Sequence, residues 1–286
     1  MSLIQTPIVS SKNFDSAGST DAPPIVLIHG SVVTRKMWLP QLRGLSDTFH
    51  VIAPDLPGHG ALAEMPFTFA SAAQTLAHVI RHEANGHALV AGLSLGGYVA
   101  IELARHSPEL VSGLVLSGCS LNFDGFLGAY LKFASWLLQR GWLKLGREKS
   151  EQRVKRMFPP ALADVAEEQL RAGVYPNALG SSYAEMAGRD FATALGKYPG
   201  PSLILNGERD ASSRRGESKF ISAARNGRVQ TIPDAGHACN LEQPGKYDQA
   251  VREFAQAIGW NPRNTTGQRI LSASYRENSL TSYNPP

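Results

Sequence analysis

Residues 87–98 read His-Ala-Leu-Val-Ala-Gly-Leu-Ser-Leu-Gly-Gly-Tyr. The apolar run 87–91 stops at Gly92, which is typical of a buried strand, and a helical pattern over 98–106 begins directly after the glycine pair. The turn between them fits G-x-S-x-G, in which a serine stands on a sharp strand-to-helix turn with its hydroxyl exposed. The following helix directs its N-terminus at that serine and favours developing negative charge there. We therefore predict that Ser94 is a nucleophile.

The same strand pattern recurs along the chain and alternates with helical patterns. Short apolar runs that end at a turn residue predict further strands at 25–28, 51–53, 114–116, 202–205 and 229–232. A helical pattern at 69–83 lies between two of these runs, and another at 247–258 follows the last of them. Strands that alternate with helices, and that are apolar along their whole length, predict a parallel sheet covered on both faces.

One region interrupts the alternation. No strand pattern occurs between residues 121 and 198, where the sequence instead shows three helical stretches. We expect a helical cap at 121–198, inserted into a core formed by 1–120 and 199–260. The cap is rich in aromatic residues, and we expect four of them to contact substrate: Phe126, Tyr130, Phe133 and Trp136. The polar segment 261–286 has no clear period and is predicted to be a flexible C-terminal tail.

A serine hydroxyl is a weak nucleophile unless a general base takes its proton. Of the eight histidines, His237 follows the last predicted strand in a loop of small residues and precedes the final helix. This loop can approach the nucleophile from the carboxyl end of a strand, so His237 is the predicted base.

The base in turn needs a carboxylate that fixes its tautomer. Asp210 follows the strand at 202–205 and gives the chain order Ser, Asp, His, which is the hydrolase order. Glu208, Asp234 and Asp124 remain alternatives, Asp124 because it follows the preceding strand.

The tetrahedral intermediate of acyl transfer needs two backbone N–H donors. Leu95, directly after the nucleophile, is predicted to supply one, and Ser31, in the loop after His29-Gly30, the other. His29 itself is expected to brace this loop through hydrogen bonds.

Taken together, these motifs resemble the α/β-hydrolase fold superfamily, in its branch of serine esterases, peroxidase-like enzymes and C–C hydrolases. The matching pieces are Ile28-His29-Gly30-Ser31, Pro54-Asp55-Leu56-Pro57-Gly58-His59-Gly60, the turn at 92–97, Gly207-Glu208-Arg209-Asp210 and Gly236-His237. The resemblance implies a mostly parallel eight-stranded sheet flanked by helices, with the cap after strand 6, and it implies no cofactor and no metal. Related dehalogenases and epoxide hydrolases carry an aspartate where this chain has Ser94, and the His-Gly-Ser-Val loop differs from the HGGG loop of many lipases.

Composition limits the other classes of function. The chain has 286 residues, 43% of them hydrophobic and 18% charged, which is a globular composition. Its net charge of +4 is scattered, apart from an enrichment at 147–156, so we expect no nucleic-acid partner. No apolar stretch is long enough to span a membrane.

Two cysteines, Cys119 and Cys239, make a disulfide framework improbable, and with no leader sequence at the start they favour a cytoplasmic location. The oligomeric state cannot be predicted.

The predicted function is that of a serine esterase acting on small to medium carboxylic esters. The same three residues would also serve a C–C hydrolase acting on a vinylogous diketone (a meta-cleavage product), a lactone hydrolase, or a perhydrolase. A ligand receptor on a hydrolase fold, with little turnover, is the alternative from a different class.

Overall fold

A sheet of eight strands forms the centre of the fold, in the order β1-β2-β4-β3-β5-β6-β7-β8. The computed structural model describes residues 9–141 and 146–260, so the predicted tail at 261–286 lies outside the described residues. The strands are β1 (Val9–Ser10), β2 (Phe14–Ala17), β3 (Pro24–Ile28), β4 (His50–Pro54), β5 (Ala88–Leu93), β6 (Val111–Ser117), β7 (Pro201–Gly207) and β8 (Asn226–Ile232). The pairs β1–β2 and β2–β4 are antiparallel and the other neighbours are parallel. The predicted mostly parallel sheet is confirmed.

Helices connect the strands. In the described residues these are α1 (Leu39–Leu45), α2 (Phe69–Glu83), α3 (Leu95–His106), α4 (Gly125–Gln139), α5 (Arg147–Lys155), α6 (Ala163–Ala172), α7 (Ala178–Met186), α8 (Phe191–Leu195), α9 (Ala211–Arg214), α10 (Glu217–Ala223), α11 (Cys239–Glu242) and α12 (Pro244–Ala257). Helix α2 has the predicted bounds because a capping box of Thr68 and Ser71 fixes its start. None of these helices is both long and apolar enough to cross a membrane.

Both faces of the sheet are covered by apolar side chains. Along β3, Val26 and Ile28 pack into one hydrophobic cluster, and Ile25 and Leu27 pack into the other. Successive side chains of a strand point to opposite faces, so a strand that is apolar throughout must be buried on both. This explains why the continuous apolar runs of the sequence predicted parallel strands.

The strand patterns of the sequence did not predict β1 and β2. Strand β2 reads Phe-Asp-Ser-Ala, and β1 is only two residues long. Neither contains the apolar run by which the other strands are found, and only the family resemblance implied eight strands.

Helices α4 to α8 lie between β6 and β7, where the sequence shows no strand pattern. We call residues 121–198 the helical insertion. Within it α4 packs against α7, whereas α6 packs against residues 35–38, next to the loop that follows β3. The insertion therefore contacts a loop at the carboxyl end of the sheet.

Candidate active site

Ser94 occupies the turn between β5 and α3. Its backbone has φ 54° and ψ −118°, a conformation that residues with side chains rarely adopt, and its N–H donates to the Ser117 carbonyl at 2.8 Å. Glycines make the turn sterically feasible. A Cβ atom on Gly92 would collide with the backbone of Gly96, and one on Gly96 would collide with the carbonyl oxygen of Ile28. The predicted strand–turn–helix arrangement is therefore present, with Ser94 at its strained position.

Asp210 and His237 meet at the carboxyl ends of two neighbouring strands. Asp210 follows β7 and His237 follows β8, and Nδ1 of His237 lies 2.8 Å from Oδ2 of Asp210. The Asp210 side chain is 4% exposed and that of His237 is 48% exposed. The histidine can thus meet a substrate while its partner carboxylate stays covered.

The local hydrogen bonds hold Asp210 in its ionised form. Burial by itself raises the pKa of this carboxyl, but hydrogen bonds from His237, Ser212 and Ser213 outweigh it and lower the pKa well below its usual range. The Ser212 hydroxyl donates to Oδ1 at 2.7 Å and the Ser213 N–H at 3.2 Å. Because an ionised carboxylate only accepts hydrogen bonds, Nδ1 of His237 is the donor in this contact, and Nε2 is the ring nitrogen that remains for another partner.

The alternative acids lie elsewhere. Asp234 and Asp124 are exposed and pair with Lys246 and Lys219 respectively. The carboxylate of Glu208 accepts the Asp234 N–H at 3.1 Å and so supports the turn before the histidine loop. Only Asp210, of the acids that the sequence offered, is hydrogen-bonded to His237 in the structure.

Ser94 and His237 both lie next to the end of β6. Ser117, the last residue of β6, binds the Ser94 backbone, and the next residue is Gly118. A Cβ atom on Gly118 would lie 2.8 Å from Cε1 of the His237 ring. Gly118 therefore leaves the space that the imidazole occupies, one residue beyond the partner of the Ser94 backbone.

The loop after β3 lies against the other side of Ser94. A Cβ atom on Gly30 would be 3.6 Å from the Cβ of Ser94, so Ser31 follows directly after a point of close approach. Leu95 is the first residue of α3, and the N–H groups of a first helical turn have no acceptor within the helix. The two predicted backbone donors, Ser31 and Leu95, thus stand on two segments that meet at Ser94.

His29 braces this loop, as its position suggested. Its ring is fully buried, accepts the Leu56 N–H at Nε2 (3.0 Å) and lies 2.8 Å from the Gly30 carbonyl through Nδ1. Burial lowers the pKa of His29 and outweighs the opposing charge of Asp55. A neutral imidazole therefore links the loops that follow β3 and β4.

The helical insertion also holds the loop, through residues that sequence reasoning missed. The buried Gln169 of α6 accepts hydrogen bonds from the backbone N–H (3.1 Å) and hydroxyl (3.2 Å) of Thr34. The Tyr175 N–H donates to the carbonyl of Val32, whose φ is 65°. The two partners of the first contact are 135 positions apart, and no local pattern connects them.

A cavity of about 520 Å³ opens beside His237. The segment that follows α5 lines it together with the loop before α11 and the last residue of α11: Arg156, Met157, Phe158, Pro159, Pro160, His237, Ala238 and Glu242. The four aromatic residues predicted to contact substrate are not among them. All four are exposed on α4: Phe126 by 90%, Tyr130 by 57%, Phe133 by 58% and Trp136 by 38%.

Curated relatives include an esterase and a component of an acetoin cleaving system. The chain is 28% identical over 245 residues to a pimeloyl-[acyl-carrier protein] methyl ester esterase of Aromatoleum aromaticum, covering 78% of this chain and 94% of that protein. It is 27% identical over 249 residues to the dihydrolipoyllysine-residue acetyltransferase component of the acetoin cleaving system of Pseudomonas putida. That match covers 83% of this chain but spans only 64% of the longer protein.

Solved structures and a family model agree with these relatives. A thermophilic esterase from Thermogutta terrifontis superimposes with a TM-score of 0.72 at 26% identity, covering 89% of this chain and 98% of that one. The model of the alpha/beta hydrolase family matches residues 25–250, which contain the turn at Ser94 and both residues of the Asp210–His237 pair. The chain therefore belongs to the alpha/beta hydrolase family.

Proposed function

We propose that this protein is a serine hydrolase that cleaves small to medium carboxylic esters through an acyl-enzyme. The observation that supports this best is the 2.8 Å hydrogen bond between Nδ1 of His237 and the buried carboxylate of Asp210. It leaves Nε2 of an exposed imidazole as a base on the side of the sheet where Ser94 stands.

In the proposed reaction, Nε2 of His237 takes the hydroxyl proton as Ser94 Oγ attacks the ester carbonyl carbon. The backbone N–H groups of Leu95 and Ser31 bind the oxyanion that forms. The intermediate collapses when the carbon–oxygen bond to the alcohol breaks, and His237 gives the proton to the leaving oxygen. Water then attacks the acyl-enzyme with His237 as the base, which releases the acid and restores Ser94.

The Asp210 carboxylate does not carry a proton in this scheme. Its lowered pKa keeps it ionised throughout, so it stabilises the imidazolium that forms when His237 accepts the Ser94 proton.

We also propose that the helical insertion acts as the cap of the active site. Its α6 and the segment after it hold the loop of Ser31 through Gln169 and Tyr175. The contacts of Phe126, Tyr130, Phe133 and Trp136 with substrate stay a prediction. With a small-molecule ester as the substrate, the apolar part of the cavity wall at 157–160 offers a second surface for an acyl or alcohol chain.

Hydrolysis of a lactone or of a carbon–carbon bond would use the same three residues, as would perhydrolysis. A receptor with little turnover is the remaining alternative. Ester cleavage is preferred because part of the cavity wall beside His237, at 157–160, is apolar and suits the acyl or alcohol chain of an ester.

The test uses p-nitrophenyl acetate, butyrate and octanoate with the full chain, Ser94→Ala and a fluorophosphonate probe. We expect multiple turnovers with the wild type, covalent labelling of Ser94, and a loss of several orders of magnitude in kcat in Ser94→Ala. The trend with acyl length then gives the size of the pocket.

Two results would count against the proposal. Labelling of Ser94 without sustained turnover would favour the receptor. Turnover that survives in Ser94→Ala would show that another residue is the nucleophile.

A further inference from the structure

Arg156 brings a positive charge to the wall of the cavity beside His237. It follows the last residue of α5, and its side chain is exposed and lines the cavity together with Met157, Phe158 and the general base. The lining residues next to it, 157–160, are apolar. The Arg156 guanidinium is therefore the group on this part of the wall that can bind a negatively charged ligand.

Within residues 9–141 and 146–260, no carboxylate forms an ion pair with the Arg156 guanidinium. The acid on the cavity wall, Glu242, is already engaged: it accepts the Gly236 N–H at 2.8 Å and lies 3.8 Å from the Arg209 guanidinium. Glu242 thus supports the loop of His237, while Arg156 lines the same cavity and has no carboxylate partner among the described residues.

We infer that the natural substrate is an ester that carries a free carboxylate, which Arg156 binds at the cavity wall beside His237. This rests on the proposed ester hydrolysis and narrows its substrate class. An apolar chain would lie along residues 157–160, with the ester group beside His237 and the carboxylate at the guanidinium. Arginine presents paired N–H donors that match a carboxylate, and a cleft with apolar walls strengthens the attraction relative to open water.

The experiment compares matched esters that differ in one carboxylate. On the acyl side, the pair is p-nitrophenyl hexanoate and mono-p-nitrophenyl adipate. On the alcohol side, the pair is 4-methylphenyl hexanoate and 4-(carboxymethyl)phenyl hexanoate. The measured quantity is the ratio of kcat/KM for the anionic ester to that for its neutral partner, at neutral pH and low salt. This ratio does not depend on how much of a variant is folded, since both esters meet the same active molecules.

The variants are Arg156→Gln and Arg156→Lys, with Arg153→Gln as the control. Arg153 is exposed on α5 and carries the same charge, but it does not line the cavity. We expect Arg156→Gln to lower the ratio by about ten-fold or more for at least one pair of esters. Arg156→Lys should lose less, because it keeps the charge, and Arg153→Gln should change the ratio by less than about two-fold.

Three results have distinct meanings. If both ratios are unchanged in Arg156→Gln while the neutral esters are hydrolysed through Ser94, the inference is wrong and the proposed function stands. If Arg153→Gln lowers the ratio as much as Arg156→Gln, general surface charge is responsible and the inference is also wrong. If none of the four esters is hydrolysed through Ser94, the proposed function fails and the inference fails with it.

Discussion

Ser94 lies where a side chain is structurally unfavourable. Its φ of 54° with ψ of −118° is a backbone conformation that glycine adopts readily and other residues do not. Such strain costs about 1–3 kcal/mol and persists only where the surroundings enforce it. Here the Ser117 carbonyl accepts a hydrogen bond from the Ser94 N–H. The backbone also passes so close to Gly92 and Gly96 that neither position has room for a Cβ atom.

Replacing Ser94 by glycine should therefore stabilise the protein while it abolishes hydrolysis. We expect Ser94→Gly to raise the free energy of unfolding by about 1 kcal/mol, because the backbone strain is relieved. Urea denaturation of Ser94→Gly and Ser94→Ala measures this, the alanine variant being the control that removes the hydroxyl but keeps a Cβ. A glycine variant no more stable than the alanine variant would contradict the idea that the turn is strained.

The residues of the candidate site differ in how far the sequence could predict them. Ser94, Asp210 and His237 each follow a recognisable strand, so local pattern and chain order place them at one edge of the sheet. Gln169 has no such signal, since its role depends on a contact with Thr34 that exists only after the insertion has packed on the core. The exposure of side chains on α4 likewise depends on how the helix packs. The sequence therefore could not predict which aromatic residues of the insertion, such as Phe126, are exposed and which are buried.

Helix α6 fixes the loop that follows β3. Gln169 is fully buried, accepts two hydrogen bonds from Thr34 and donates one to the Gly173 carbonyl at 2.9 Å. A leucine in its place would leave the Thr34 N–H buried without an acceptor, a loss of about 1–3 kcal/mol in stability.

We expect Gln169→Leu to lower kcat more than it changes KM. The loop of Ser31 would lose its anchor, and a donor to the oxyanion acts in the transition state rather than in the ground state. Steady-state kinetics on p-nitrophenyl butyrate measures the effect, with Gln74→Leu, on the exposed face of α2, as the control. A rise in KM at unchanged kcat would argue that Gln169 serves binding and does not position the loop.

The contact between α1 and α12 contains a carboxyl group with an unusual pKa. Asp248 of α12 is 9% exposed, and burial raises the pKa of this group to about 7, with Gln41 and Arg252 lowering it and Asp47 raising it further. In the unfolded chain an aspartate has a pKa of about 3.9. Between these two pH values the folded state holds a proton that the unfolded state releases, so stability falls as the pH rises from about 4 to about 7.

Asp248→Asn should remove the loss of stability that occurs as the pH rises from about 4 to about 7. We expect it to raise the free energy of unfolding at pH 8, by at most about 4 kcal/mol, and to change it little at pH 4. Urea denaturation at both pH values checks the sign, and Asp21→Asn, in an exposed loop, is the control. A gain that is equal at the two pH values would show that the effect does not come from titration of Asp248.

A buried cluster of charges joins the antiparallel edge of the sheet to the loops at the carboxyl ends of the parallel strands. The Arg35 guanidinium forms ion pairs with Asp15 of β2, at 3.1 Å, and with Asp55, which follows β4. Lys36 also binds Asp15, at 2.7 Å. Both aspartates are fully buried, and Asp55 further accepts the Ala61 N–H at 2.9 Å. The cluster therefore ties β2, which has little apolar surface, to the segments that surround the candidate site.

Removing the shared cation should destabilise the whole fold. We expect Arg35→Met to lower the free energy of unfolding by about 3–5 kcal/mol, because it leaves two buried carboxylates without their common partner. Arg43→Met is the matched control: Arg43 binds Asp164 at 2.7 Å, but both side chains are exposed, by 38% and 56%, and the loss should stay within about 1 kcal/mol. Chemical denaturation followed by circular dichroism gives both values. Equal losses in the two variants would mean that the buried cluster contributes no more to stability than a surface ion pair.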